Sequence, residues 1–497
     1  MRRRQTWNCI WISAISVASL KANEDIAFFE SKVAPLLKAN CYKCHSHESG
    51  KMKGGLTLDS RSGWNEGGDS GPAVVPGKPE ESLLIEAIRH RDPDFKMPPK
   101  KKLAEEEIAI LTEWVSRGAP DPRTTVPEKD LRELTNNWWS LVPLKRPPLP
   151  SADVEHPIDA FIRARLRAAK ISPAPPADRR TLIRRLYLDL HGLPPTPAQV
   201  KRFVEDRNPR AYEELVNDLL DSPLYGERWA RHWLDLVRFA ETDGFEHDKV
   251  RPNAWRYRDW LIDSLNTDQP YDEFVFHQLA GDEVTPAAAL GTGFLLAGQD
   301  MPDINLRAER RHMVLNEMTT TVGSVFLGLT VGCAQCHDHK SDPISQADFY
   351  RLRAFFESGL QFKEQKLAIA GGEVSGRVMR ISSGKLVPTR FAVRGDFRRL
   401  GQVVKPAVPR IALGLAESSP ATSRADLAKW MSGSRNPLFL RSAVKRPWQF
   451  RFGQPPAGPP HDIGRPGQKP SHPALLDWLE IGRASARERG QSTGGPR

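Results

Sequence analysis

The sequence predicts a mainly α protein with a small helical N-terminal domain, a larger helical middle domain and a poorly defined C-terminal region. Apolar residues recur at three- and four-residue spacing in one segment after another, as amphipathic helices require. Strand-like runs are short and confined to one stretch, at 377–381 and 385–393. The 42 prolines and 36 glycines among 497 residues point to long connections between several domains.

The first 22 residues read as a secretory signal. Arg2, Arg3 and Arg4 form a basic start, and Trp7 to Leu20 an apolar stretch with small residues. Export to the periplasm or cell envelope is therefore expected. No later stretch is long and apolar enough to span a bilayer, so no transmembrane span is expected. The net charge of +11 would suit an acidic partner or nucleic acid. Nothing resembles a nucleic-acid module, however, and much of the charge is arginine scattered through helices.

Residues 23–122 form the first domain. Asn23 can cap a helix with Glu24 and Asp25 in its first turn, and Ile26, Phe29, Val33, Leu36 and Leu37 follow helical spacing. Ile108, Leu111, Trp114 and Val115 mark a closing helix, stopped by Gly118 and Pro120. Residues 123–155 read as a linker that Pro147, Pro148 and Pro150 keep extended. Trp138 and Trp139 are expected to dock that linker on a neighbouring domain.

Residues 156–360 form the second domain. Thr196-Pro197-Ala198-Gln199 reads as a capping box with proline at the first helical position. Tyr225, Trp229, His232, Trp233, Leu236 and Val237 form an aromatic stripe. Further helices are marked by Trp255, Trp260, Leu261 and Leu265, and by Tyr271, Phe274, Gln278 and Leu279. Leu315, Met318, Val322, Val325, Phe326 and Leu329 mark the helix leading to Cys333. Ser345 to Asp348 caps a last helix with Phe349, Leu352, Phe355 and Phe356 on one face. Residues 361–422 are a variable connection, and 423–497 a C-terminal domain expected to be incomplete.

Cysteine usage carries the strongest chemical signal. Four of the five cysteines fall in two C-x-x-C-H motifs, Cys41-Tyr-Lys-Cys44-His45 and Cys333-Ala-Gln-Cys336-His337; the fifth, Cys9, lies in the leader. This is the attachment pattern of c-type haem. Two thiols one helical turn apart can add across the two vinyl groups of one porphyrin, and the histidine can reach the iron. Met97, in the proline-stiffened Phe95-Lys96-Met97-Pro98-Pro99 loop, is the expected distal ligand of the first haem. Beside it, Lys96, Lys100, Lys101 and Lys102 could steer an acidic redox partner or form a solvated face.

Residues 25–122, with CYKCH, GGLTLDSRSGW, VVPGKPEESLLI, MPP and WVSRGAP, resemble the planctomycete cytochrome c domain. The region with HPIDAFIRARL, DLHGLPPTPAQV, LLDSPLYGERWARHWLDLVRFAETDGFE and VGCAQCHDHKSDPI resembles the uncharacterised family that follows it. SRADLAKWMSGSRNPL, RPWQFRFG and PSHPALLDWL resemble the start of a third accompanying family. The resemblance implies a cytochrome c-like first domain, haem c and a redox role in the cell envelope. It implies no particular reaction.

The second motif admits three occupants. A second covalent haem would use Cys333, Cys336 and His337, with His232 on the aromatic stripe as a candidate distal ligand. Asp338, His339 and Asp342 add donors for a metal such as zinc, and a C-x-x-C pair can also be a redox-active dithiol. The run Glu241, Asp243, Glu246, His247 and Asp248 could hold a cation or supply acid–base groups, or be a solvated loop. No Walker loop, Rossmann fingerprint, nucleophile elbow or metalloprotease helix occurs.

The leading expectation is an exported electron-transfer cytochrome with one or two covalent haems. The alternatives are a haem-dependent oxidoreductase acting on an extracellular substrate such as carbohydrate, and a non-enzymatic envelope scaffold.

Overall fold

The computed structural model describes residues 24–46, 51–53, 56–68, 71–123, 138–150, 156–380, 387–411, 421–433, 436–465 and 467–488. The expected signal peptide with Cys9, the Asn23 cap, parts of the linker and connection, and the last nine residues lie outside them. The chain divides into two compact units, Met1–Glu133 and Leu134–Arg497. Both are dominated by helices, and the described strands form three two-stranded antiparallel pairs, so the mainly α class holds.

In the first unit, helix α1 covers 24–40 and carries a π-helical segment, Phe29–Val33. Phe29, Val33 and Leu37 are buried as expected, whereas Ile26 is 37% exposed. A π turn holds an extra residue, so the face before it is rotated away from the face after it. Strands β1 (His45–Ser46) and β2 (Lys51–Met52) follow the first motif. Helix α2 (Arg61–Glu66) is capped by Ser60, whose hydroxyl accepts from Gly63 N at 3.1 Å. Helices α3 (Leu83–Arg89) and α4 (Glu105–Ser116) complete the unit.

The α4 face Ile108, Leu111, Trp114 and Val115 is buried, as its spacing predicts. Trp114 is the centre of this core, 5.8 Å from the Phe29 ring and 5.6 Å from Trp64. The Trp64 indole N–H donates to Asp121 at 2.8 Å, so its polar edge is satisfied inside the core.

The second unit opens with Trp138, which is buried in its main core. Helices α5 (Pro157–Ala168), α6 (Arg179–Leu190), α7 (Pro197–Glu205), α8 (Ala211–Leu220) and α9 (Pro223–Leu236) follow. Thr196 and Gln199 form the expected reciprocal cap at the start of α7. Residues of α6, α7 and α8 enclose a satellite core around Ile183, Tyr187, Phe203 and Leu215.

The aromatic stripe of α9 does not face one environment. Gly226, Ala230 and Val237 are its deeply buried positions. Gly226 lets α10 (Trp255–Asn266) approach closely: a Cβ there would fall 2.5 Å from Asn266 Oδ1. Trp233 packs on Phe274 and Phe326, while Trp229 and His232 face Phe450.

Helix α11 (Tyr271–Ala280) and helix α12 (Arg307–Val322) fill the centre. The helix expected to run to Leu329 ends earlier: α12 passes into a π segment, Gly323–Leu327, and Gly328 with φ +62° turns the chain out. Only glycine suits this turn, because a Cβ would also meet Ser442 Oγ at 2.7 Å and Ile463 at 2.8 Å.

After the second motif come α13 (Gln346–Arg353), with its Ser345–Asp348 capping box, and two hairpins. These are β3 (Gln365–Ile369) with β4 (Gly372–Gly376), and β5 (Thr389–Ala392) with β6 (Leu400–Val404). The run expected as a strand at 377–381 is not one where described. Residues 377–380 follow β4 outside the ladder, with Val378 and Met379 buried and Met379 N donating to Thr292 Oγ1 at 2.9 Å. The apolar pair there reflects core contact rather than strand pairing.

Helices α14 (Arg424–Met431), α15 (Pro437–Phe452) and α16 (Pro473–Glu488) end the described chain. Leu427, Leu438 and Phe439 join the same hydrophobic core as Leu315 and Phe326.

Candidate functional site

The first motif sits where α1 ends. The N–H groups of Cys44 and His45 both donate to Cys41 O, at 3.1 and 3.0 Å, which folds the five residues into one turn. Cys41 belongs to the hydrophobic core and Cys44 is half-buried; both are free thiols. Burial, with Cys44 beside it, pushes the Cys41 thiol up to about 12, so it is held as S–H.

His45 starts β1, and its backbone carbonyl accepts from Leu58 N at 2.9 Å. Its Nδ1 is buried without a hydrogen-bond partner. Burial pushes the ring below its ordinary pKa, with the Leu56 and Lys53 carbonyls acting in the opposite sense. The ring is neutral with one unsatisfied nitrogen and could serve as a metal ligand.

Met97 is placed on the loop before α4 by its backbone. Its N–H donates to Ala87 O at 3.0 Å, and its carbonyl is 3.1 Å from His90 Nε2. Met97 is 42% exposed, and no described contact joins it to His45. Lys96, Lys100, Lys101 and Lys102 are all exposed around it. An open groove on the neighbouring face is lined by Arg89, Arg91, Lys102 and the polar side of α4.

The second motif occupies a 3₁₀ turn, Val331–Gln335, that follows Gly328. Val331 and Ala334 anchor it in the core, leaving Cys333, Cys336 and His337 exposed. The Gln335 carbonyl is clamped by Gln346 Nε2 at 2.9 Å and the Tyr350 hydroxyl at 3.1 Å. His337 Nδ1 lies 2.7 Å from Asp338 O, a contact that requires the proton on Nδ1 and leaves Nε2 as acceptor. Both cysteines are free thiols, and partial desolvation, with Cys333 nearby, pushes the otherwise exposed Cys336 up.

The other proposed donors are turned elsewhere. His339 Nδ1 receives the Asp342 N–H at 2.8 Å, folding that ring into its own turn. Among the described residues, no group of three or more His, Cys, Asp or Glu side chains is placed to hold a metal ion. His232 stacks on Phe450 at 4.1 Å with Trp229 at its edge; burial and Arg228 lower its pKa. No described contact joins His232 to residues 333–337.

Two residues beside the second motif, Gly395 and His312, fall outside every motif. Gly395, φ +75°, lies against Cys336: a Cβ there would fall 2.6 Å from the sulfur. Its carbonyl acts on His312, which is buried and held between Asn316 at 2.9 Å and Arg353 Nη1 at 3.0 Å. The i, i+4 pairing of His312 and Asn316 on one helix was the available clue.

Two carboxylates of the acidic run at 241–248 are ion-paired, Glu241 with Arg258 at 2.7 Å and Asp243 in a buried network. Asp243 is buried and accepts from Arg251 at 2.9 Å and Arg377 at 3.4 Å, and Arg377 also meets Asp300 at 2.9 Å. A cavity of about 240 Å³ lies between this loop and residues 300–304.

At the first motif the residues fit a covalently held haem by their donor set: two free thiols one turn apart, one of them in an apolar core, and a histidine with an orphaned buried nitrogen. At the second they fit through two free thiols and a histidine whose tautomer leaves Nε2 open.

A small helical unit built around a C-x-x-C-H turn defines a cytochrome-like class of protein. Three known families match successive parts of the chain: Planctomycete cytochrome C over 41–101, a protein of unknown function (DUF1549) over 157–360, and a second protein of unknown function (DUF1553) over 423–484. The chain thus matches the planctomycete cytochrome c family over one stretch of its first unit and the two accompanying families over parts of its second. No curated protein and no solved structure matches it. No helix among the described residues is long and apolar enough to cross a membrane.

Proposed function

We propose that this protein is an exported c-type cytochrome that transfers electrons in the periplasm or cell envelope. It carries one haem on Cys41 and Cys44 and a second on Cys333 and Cys336. The supporting observation is that all four described cysteines are free thiols and all lie in C-x-x-C-H turns. A bound haem would supply a one-electron redox centre.

The chain supplies attachment, ligation and docking. Each thiol would add as sulfur and hydrogen across a vinyl double bond, with no net oxidation. His45 and His337 would offer ring nitrogens to the haem iron, and Met97 its thioether at the first site. The exposed lysines at 96 and 100–102 present positive charge to an acidic redox partner, raising the rate of encounter. His232 would serve the second site only if Phe450 released its ring.

The test is a haem count on full-length protein made with a cytochrome c maturation system. Pyridine haemochrome and intact mass should both give two haems per chain. Cys333→Ala with Cys336→Ala should reduce the count to one. No covalent haem in the unaltered chain would overturn the proposal, and one haem with bound zinc would reassign the second motif.

A further inference from the structure

The last two helices of the second unit enclose charges that the proposed electron transfer does not use. Arg441, Lys445 and Arg446 lie on α15 and Glu480 on α16, each no more than 4% exposed. Buried cations are ordinarily matched by hydrogen-bonded anions. Arg424 and Asp282 show the usual result in this same unit, two contacts of 2.7 and 2.6 Å between buried partners. Glu480 departs from it. Both of its carboxyl oxygens are buried with no hydrogen bond, and the closest guanidinium nitrogen, Arg441 Nε, stands 3.8 Å away.

The cations around Glu480 direct their hydrogen bonds elsewhere, while Arg441 Nε, the nitrogen facing it, is like both carboxyl oxygens buried without a partner. Arg441 Nη2 donates to Val142 O at 3.2 Å and lies 3.5 Å from Asp477, and its guanidinium covers the Trp139 ring at 5.0 Å. Lys445 Nζ donates to Pro459 O at 3.0 Å. Arg446 donates to Ser324 O at 3.0 Å. An ionised carboxylate gains most from short charged hydrogen bonds, and none is made here.

We propose that Glu480 is carried as a neutral carboxylic acid between α15 and α16, so that the seating of α16 depends on its proton. The charged groups that act on it are Arg441 and Lys445 from α15 and Asp477 from its own helix. Asp462, on the loop before α16, acts on Lys445, and Arg165 of α5 acts on His472 instead.

Burial pushes Glu480 up to about 8 and Lys445 down to about 7. The signs oppose. The Glu480 contribution is fully present below the ordinary carboxyl pKa and is lost as pH rises through about 8. The Lys445 contribution is present above the ordinary lysine pKa and is lost as pH falls through about 7. A single-site variant is therefore needed to isolate Glu480.

The experiment compares thermal unfolding of the full holoprotein with that of Glu480→Gln from about pH 5 to about pH 9. The variant should match the wild type at the acid end and gain in relative Tm as pH rises. Cleavage of the 453–472 segment by a protease, read as a wild-type to variant ratio at each pH, should rise in parallel. Should Glu480→Gln fail to fold, Glu480→Met takes its place with the same expected sign, because the position suits an uncharged group. A variant that is less stable at neutral pH and recovers toward acid would show an ionised, paired Glu480 and overturn the proposal. A Tm difference that does not change with pH would overturn it equally.

Discussion

Met97 is a residue on which stability and redox chemistry separate. Met97 is exposed and outside the core, so Met97→Ala in the haem-free chain should change the unfolding free energy by no more than about 0.5 kcal/mol. If Met97 ligates the first haem, the same change should abolish the near-infrared sulfur-to-iron band and lower the reduction potential, because a thioether favours ferrous iron. An unchanged band and potential would assign the ligand elsewhere. Its loop neighbour His90 touches Met97 only through the backbone carbonyl, so the loop conformation does not require the thioether. The motif residues Cys41, Cys44, His45, Cys333, Cys336 and His337 are all legible in the sequence because their spacing is itself the chemistry. Gly395 is not legible, since its importance comes from contact with a sulfur 59 positions away.

Helices show how far local pattern reaches at the scale of the element. The α4 face and the capping boxes of α7 and α13 follow from spacing and side-chain type, because their hydrogen bonds and burial are local. The α9 stripe was legible as aromatic but not in its direction: its buried line is Gly226, Ala230 and Val237, chosen by how closely α10 approaches. Ion pairs between elements are equally hidden. Arg424 starts α14 and meets Asp282, which lies just past α11, with both groups buried. Asp282→Ala should cost about 3–5 kcal/mol, because it leaves a buried guanidinium without its counter-charge. Chemical denaturation would measure this, and a loss comparable to an exposed pair would mean that water reaches Arg424.

Global stability should respond to acid through His312, which lies under the second motif. Burial and the adjacent Arg353 push this ring down to about 4. Its folded pKa lies below the ordinary histidine value, so its contribution is present above that value and is lost as pH falls toward 4. The loss is on the order of 3 kcal/mol at most. Comparing denaturant midpoints at about pH 7 and about pH 4.5, the drop should be smaller in His312→Gln than in wild type. An equal drop in both would remove His312 from the acid response.

Taken by itself, the sequence determined the helical class, most helix positions and the two C-x-x-C-H turns, because each is written in short-range spacing, and its longer motifs carry the resemblance to the planctomycete cytochrome c domain. It also determined the exposed lysine run beside Met97. Only the tertiary structure decided where α1 and α12 change phase through π turns, and that 377–380 is buried without pairing. It alone decided that His232 stacks on Phe450, and that Glu480 is enclosed without a hydrogen bond. These outcomes depend on which surfaces meet across distant segments, where packing and desolvation outweigh local propensity.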